Sequence, residues 1–66
     1  MRDAVIVNYS ENQVIVFLDR VTEVDYDAKD KKLTIYLDDE LYHCEVVTGD
    51  EADRVWIELL KRCNVI

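Results

Sequence analysis

The residues with the most chemical character are neighbours, His43 and Cys44. An imidazole within hydrogen-bond reach of a thiol is the material of a cysteine nucleophile, because the base draws off the thiol proton. Adjacent residues on a β-strand point to opposite faces, however, and this pair sits in a strand-like run. His43 therefore reads as a surface histidine near Tyr36, Glu45 or Asp25, and Cys44 as a small apolar core residue. Metal chemistry has no better support, since one histidine and two cysteines, Cys44 and Cys63, cannot supply a closed four-ligand zinc site. Asp38, Asp39 and Glu40 offer oxygen to a hard cation but lack the spaced ligands and interior glycine of a calcium loop. They read as a solvated hairpin tip. No glycine-rich loop is present to cradle phosphate, and Asp50, Glu51 and Asp53 would repel an anion from the helix start they occupy. Among fifteen acidic residues nothing singles out a catalytic pair. No catalytic, cofactor-binding or metal-ligating residue is assigned, and a non-enzymatic protein is expected.

The element that must organise the rest is the stretch 48–63, TGDEADRVWIELLKRC. Ala52, Val55, Trp56, Leu59, Leu60 and Cys63 recur at the three-and-four spacing that lines one face of a helix, so that face is expected to point inward. Asp50, Glu51 and Asp53 near the start and Lys61 and Arg62 near the end complement the helix dipole. Thr48 followed three residues later by Glu51 matches a capping box, which makes Thr48 the expected N-cap. Ile57 falls on the flank of the inward face, where it would leave apolar surface exposed.

Upstream, residues 4–9 and 13–18 are rich in β-branched and aromatic residues and flank the polar turn Ser10-Glu11-Asn12, which predicts a hairpin. Neither strand alternates cleanly, and such runs suggest burial on both faces, either mid-sheet or under a second chain. Residues 21–26, 33–37 and 41–47 do alternate. Pairing Tyr26 with Leu33 sets Val24 against Ile35, and pairing Leu37 with Tyr42 sets Ile35 against Cys44 and Leu33 against Val46. This register gathers the apolar side chains on one face and leaves Glu23, Asp25, Thr34, Tyr36, His43 and Glu45 on the other. The expected fold is α+β, an antiparallel meander of four to five strands with one C-terminal amphipathic helix on one face.

Sixty-six residues without proline, and with Gly49 as the only glycine, read as a single domain over 1–66. A chain of this size buries only about 60% of its unfolded surface, so its core is marginal and oligomerisation is an expected remedy. A net charge of −7 disfavours direct nucleic-acid binding, which rests on basic side chains neutralising phosphates. No apolar run reaches the ~20 residues that span a bilayer, and no signal peptide is recognised, so a cytoplasmic protein with free thiols is expected. The leading functional expectation is a protein-protein interaction module that forms a homodimer through the first hairpin or the outer flank of the helix, with Ile57 in the contact. The alternative is an acidic inhibitor, carried by a phage or mobile element, that occupies a basic groove of a host protein. It is motivated by the base-free run from Leu33 to Asp53 and would use Asp38, Asp39, Glu40, Asp50 and Asp53.

Overall fold

The computed structural model describes residues 3–38 and 43–63. The fold is α+β, with five antiparallel strands in two sheets and one helix packed against them. Strands β1 (Ala4–Asn8) and β2 (Gln13–Phe17) form a hairpin with Ile6 opposite Ile15 and Ala4 opposite Phe17. A 3-10 turn at Leu18–Arg20 leads into a three-stranded sheet of β3 (Val21–Asp27), β4 (Lys32–Leu37) and β5 (Cys44–Thr48), in that order. The β3-β4 turn is held by Asp27, whose Oδ1 accepts from the N–H groups of Lys29 and Asp30. Gly49, at φ +74°, turns the chain from β5 into helix α1 (Asp50–Cys63), a conformation that favours glycine.

Both layers contribute to one core. Val5, Val7 and Val16 from the hairpin meet Leu33, Ile35 and Val47 from the sheet and Ala52, Val55 and Leu59 from the helix. Burying side chains of the Val, Leu and Ile kind is worth about 1.5–3 kcal/mol each. Leu33, Ile35 and Val55 are fully buried and anchor sheet to helix. Trp56 is half-buried at the margin, stacked on Tyr26 with ring centroids 4.8 Å apart and planes 14° apart. That geometry is favourable for aromatic pairs.

Four expectations need correction. The first is the β4-β5 register: Tyr26 does face Leu33 and Val24 does face Ile35, but Leu33 pairs with Val47, Ile35 with Glu45 and Tyr36 with Cys44. This is one residue from the apolar-to-apolar pairing, so Glu45 turns to the inner side and Cys44 and Val46 turn out and are exposed. The second is Cys44 itself, which is a surface thiol and not a core residue. The third is the capping box: Thr48 ends β5 opposite Lys32, and the Glu51 carboxylate reaches β1 and Arg54 instead. The fourth is Leu60, which is half exposed and not part of the inward face. The side chain of Cys63 lies outside the described residues.

Candidate functional site

The hairpin buries one face only. Val5, Val7 and Val16 point into the core, whereas Ile6 (50% exposed), Ile15 (57%) and Phe17 (37%) stand together on the other face. Ile6 and Ile15 are directly opposite, so their side chains form a single apolar ridge. The hairpin lies neither mid-sheet nor between two layers, and the continuous apolar runs of its strands leave Ile6 and Ile15 about half exposed on the outer face.

Its two backbone edges are treated differently. Backbone hydrogen bonds from Tyr9 N–H to the Asn12 carbonyl (2.8 Å) and from Leu18 N–H to the Asp3 carbonyl (2.9 Å) bracket the ladder. Antiparallel pairs alternate between bonded and non-bonded, so Val7 with Val14 and Val5 with Val16 exchange the intervening bonds. The polar groups of Ile6 and Asn8 on β1, and of Gln13 and Ile15 on β2, then point off the hairpin's outer edges. On β1 the helix closes that edge: Asn8 N–H donates to Glu51 Oε2 at 2.7 Å and Arg54 Nη2 donates to the Ile6 carbonyl at 2.6 Å. Arg54 Nε also donates to Glu51 Oε1 at 2.9 Å. The Arg54 guanidinium is the main cause that lowers the Glu51 pKa from 4.5 to about 2, with the Asn8 amide assisting against partial burial. Among the described residues no side chain bonds the outward backbone groups of Gln13 or Ile15 in the same way.

A groove of about 250 Å³ runs along β2, lined by Val14 to Phe17, Arg20, Leu37, Asp38, His43 and Glu45. Residues of both parities on β2 line it, so it follows the strand's edge and not one of its faces. Its far wall is the start of β5. There Glu45, whose side chain is only 11% exposed, sits between two partners: Tyr9 Oη donates to Oε1 at 2.5 Å, and His43 Nε2 lies 2.5 Å from Oε2. Burial, followed by the hydrogen bond to the Glu45 carboxylate, holds the Tyr9 phenol protonated far above the usual tyrosine range. Arg20 and Asp38 close the end of the groove, where the Asp38 N–H donates to the Arg20 carbonyl at 2.7 Å. A second hollow of about 260 Å³ lies between the hairpin tip, at Asn8 to Ser10, and Val46 to Thr48. No backbone ladder joins β2 to β5, since they belong to separate sheets. The Tyr9-Glu45 bond instead spans the gap.

Of the residues singled out in the sequence, Ile57 is 51% exposed on the outer side of α1. Asp38 is exposed at the groove mouth, and Asp39 and Glu40 lie outside the described residues. Asp50 and Asp53 are engaged locally: Lys31 Nζ is 3.2 Å from Asp50 and 3.6 Å from Asp53, which also accepts from Tyr26 Oη at 2.5 Å. The hydrogen bond to Asp53 raises the Tyr26 pKa, and the hydrogen bond to Asp50 raises that of Lys31. These carboxylates pin the helix start to β3 and the β3-β4 turn. Tyr9 and Arg54 were not singled out, Glu51 was read as a capping-box partner and Glu45 only as a neighbour of His43; of the first two, Tyr9, a polar-tipped aromatic beside a turn, carried a signal of a specific partner.

His43 and Cys44 point to opposite faces of their strand, as expected. Among the described residues no group of three or more His, Cys, Asp and Glu side chains could hold a metal ion, and no helix is long and apolar enough to cross a membrane. The chain matches no family model, no curated protein and no solved structure.

Proposed function

We propose that this protein is a non-enzymatic interaction module that forms a homodimer by packing the outer hairpin faces of two copies together. The observation that supports the reading is the exposed pair Ile6 and Ile15 on a domain with few residues to spare for its own core. A two-fold axis through the Ile6-Ile15 pair would place the same residues on both sides of the interface, the isologous arrangement of most homodimers. A stable interface removes about 800 Å² from each partner. That is about one sixth of the 5047 Å² this chain exposes, more than the ridge alone supplies, so neighbouring surface must join the contact. Ile57 and Leu60 offer further apolar area on the helix.

Light scattering coupled to size exclusion tests this directly. Two chains per particle are expected at tens of micromolar, and Ile6→Lys is expected to give one chain with its melting transition kept, because Ile6 faces away from the core. A clean monomer in the unsubstituted protein would sink the reading.

The acidic-inhibitor alternative draws support from a different surface. Glu23, Asp25 and Asp27 alternate along β3, all exposed and on one face, and Asp38, exposed just after β4, is held beside the start of β3 by the bond from its N–H to the Arg20 carbonyl. Such a field would steer toward a basic partner. Reversing Asp38, Asp39 and Glu40 to lysine should then abolish capture of a basic nucleic-acid-binding protein, and unchanged capture would count against it.

A further inference from the structure

We propose that the outer edge of β3 receives an extended basic segment of another protein, added as an antiparallel strand whose side chains alternate between basic and β-branched. This goes beyond the dimer reading and deepens the acidic-inhibitor reading, on whose carboxylate surface it rests. Three observations carry it: an edge with unused backbone groups, a row of carboxylates on one side of it and an apolar shelf on the other. β3 is the end strand of its sheet, with β4 on one side only. The bonds from Leu37 N–H to the His43 carbonyl (3.0 Å) and from Gly49 N–H to the Lys31 carbonyl (2.9 Å) bracket the β4-β5 ladder. Leu33 and Ile35 therefore point their backbone groups at β5, and Lys32, Thr34 and Tyr36 point theirs at β3. Asp27, Asp25 and Glu23 pair with these three, which leaves the N–H and C=O groups of Val24 and Tyr26 pointing off the edge. Among the described residues no group bonds them, in contrast with the β1 edge that Glu51 and Arg54 close. Paired main-chain hydrogen bonds are what an added strand supplies.

The two faces beside this edge define the occupant. On the outer face Glu23, Asp25 and Asp27 stand exposed in a row along the strand. Two copies of this chain paired antiparallel through β3 about Asp25 would set Asp25 against Asp25 and Glu23 against Asp27, and like charges directly opposite are destabilising. The row therefore bars a second copy and matches lysine or arginine at every other position of an incoming strand. Lys32, opposite Asp27 on β4, offsets the charge at that end, so Glu23 and Asp25 exert most of the attraction. On the inner face Val24 and Tyr26 are partly buried, Tyr26 is stacked on Trp56, and Leu60, one turn further along the same flank of α1, is 51% exposed. Residues opposite Val24 and Tyr26 reach this apolar shelf, so valine or isoleucine fits there. The partner segment is therefore an extended run of basic, β-branched, basic, β-branched and basic residues.

A synthetic heptapeptide of sequence threonine, lysine, valine, lysine, valine, lysine, threonine, with blocked ends, is the probe. Added to the ¹⁵N-labelled full chain, it is expected to shift the amides of Val24, Asp25 and Tyr26 saturably, with half-saturation below about 1 mM. It should also slow hydrogen exchange at Val24 and Tyr26 by about tenfold or more. N-methylation of both valines removes the N–H groups that meet the Val24 and Tyr26 carbonyls and should abolish these effects, whereas N-methylation of the central lysine, whose N–H points away from β3, should keep them. The same residues in the order lysine, lysine, lysine, threonine, threonine, valine, valine keep the charge without the alternation and should bind about tenfold more weakly or worse. Asp25→Lys, a change at an exposed side chain, should weaken binding of the probe by about tenfold. No shift up to about 1 mM, shifts centred elsewhere, or equal binding by the valine-methylated or reordered peptide would each overturn the proposal. So would Val24 and Tyr26 amides already slow to exchange in the chain alone. Probe bound at β3, with capture unchanged after reversal of Asp38, Asp39 and Glu40, would sink the acidic-inhibitor reading alone. Capture abolished by that reversal, with no binding of the probe, would sink this proposal alone.

Discussion

Replacing Glu51 with glutamine tests whether the helix closes the β1 edge. The carboxylate receives the Asn8 amide and two Arg54 nitrogens, and its pKa falls from 4.5 to about 2. At 1.36 kcal/mol per unit, a fall of that size has an upper bound of about 3 kcal/mol. The side chain is 21% exposed, so solvent screening reduces this to about 1–2 kcal/mol. A carboxylate whose pKa is depressed on folding stabilises the fold fully above the unfolded value and loses that contribution as pH falls through the folded value. The Glu51 contribution is therefore intact above pH 4.5 and disappears on the way down to about pH 2. Glu51→Gln should lower the melting temperature at pH 7 by about 4–16 °C, given about 4–8 °C per kcal/mol for a domain this small. Between pH 4.5 and 2 the gap between variant and parent should close, because protonation removes from the parent what the substitution already removed. Thermal melts at half-unit pH steps supply the comparison, with the exposed Glu11→Gln in the hairpin turn as a control expected to move stability by less than about 0.5 kcal/mol. Equal melting temperatures at pH 7, or a gap that stays constant down to pH 2, would refute the edge-closing role.

Three further outcomes follow from the geometry. Val47→Ala should cost about 1.5–2 kcal/mol in denaturant melts, at about 0.8 kcal/mol per buried methylene, while Val46→Ala should cost under about 0.5; the reverse order would restore the slipped register. In an alkaline titration followed by tyrosinate absorbance, Tyr9 and Tyr26 should ionise late, and Tyr9→Phe and Tyr26→Phe should each remove part of the late amplitude. Because both folded pKa values are raised, the stability linked to these phenols is present below pH 10 and lost above it, so a fold that loosens with acid through these groups would contradict the assignment. In a Cys63→Ser background, Cys44 should be labelled by a disulfide reagent without denaturant, and a thiol that waits for unfolding would place it back in the core.

The helix and the β3-β4 pairing were legible because each rests on a repeated apolar pattern with one consistent solution. Ala52, Val55 and Leu59 fall inward at the expected spacing, and Tyr26 meets Leu33 as alternation demands. The β4-β5 pairing failed for a physical reason. Matching apolar with apolar put Cys44 and Val46 inside, and it treated an inward Glu45 as a desolvated charge to be avoided. Inside the fold that carboxylate is not alone, since Tyr9 approaches it from 36 residues away and His43 from two residues along its own strand. A largely covered acceptor with two partners no longer carries the full penalty of leaving water, and the register that places Val47 in the core becomes available. The one-residue slip and the groove share this origin. If Glu45 faced solvent, the wall opposite β2 would carry Cys44 and Val46 and the Tyr9 bond across the gap would be lost. With Glu45 turned inward, the gap keeps a fixed acceptor on its β5 side, facing β2. The feature that defeated the alternation rule is the one that gives the site its polarity.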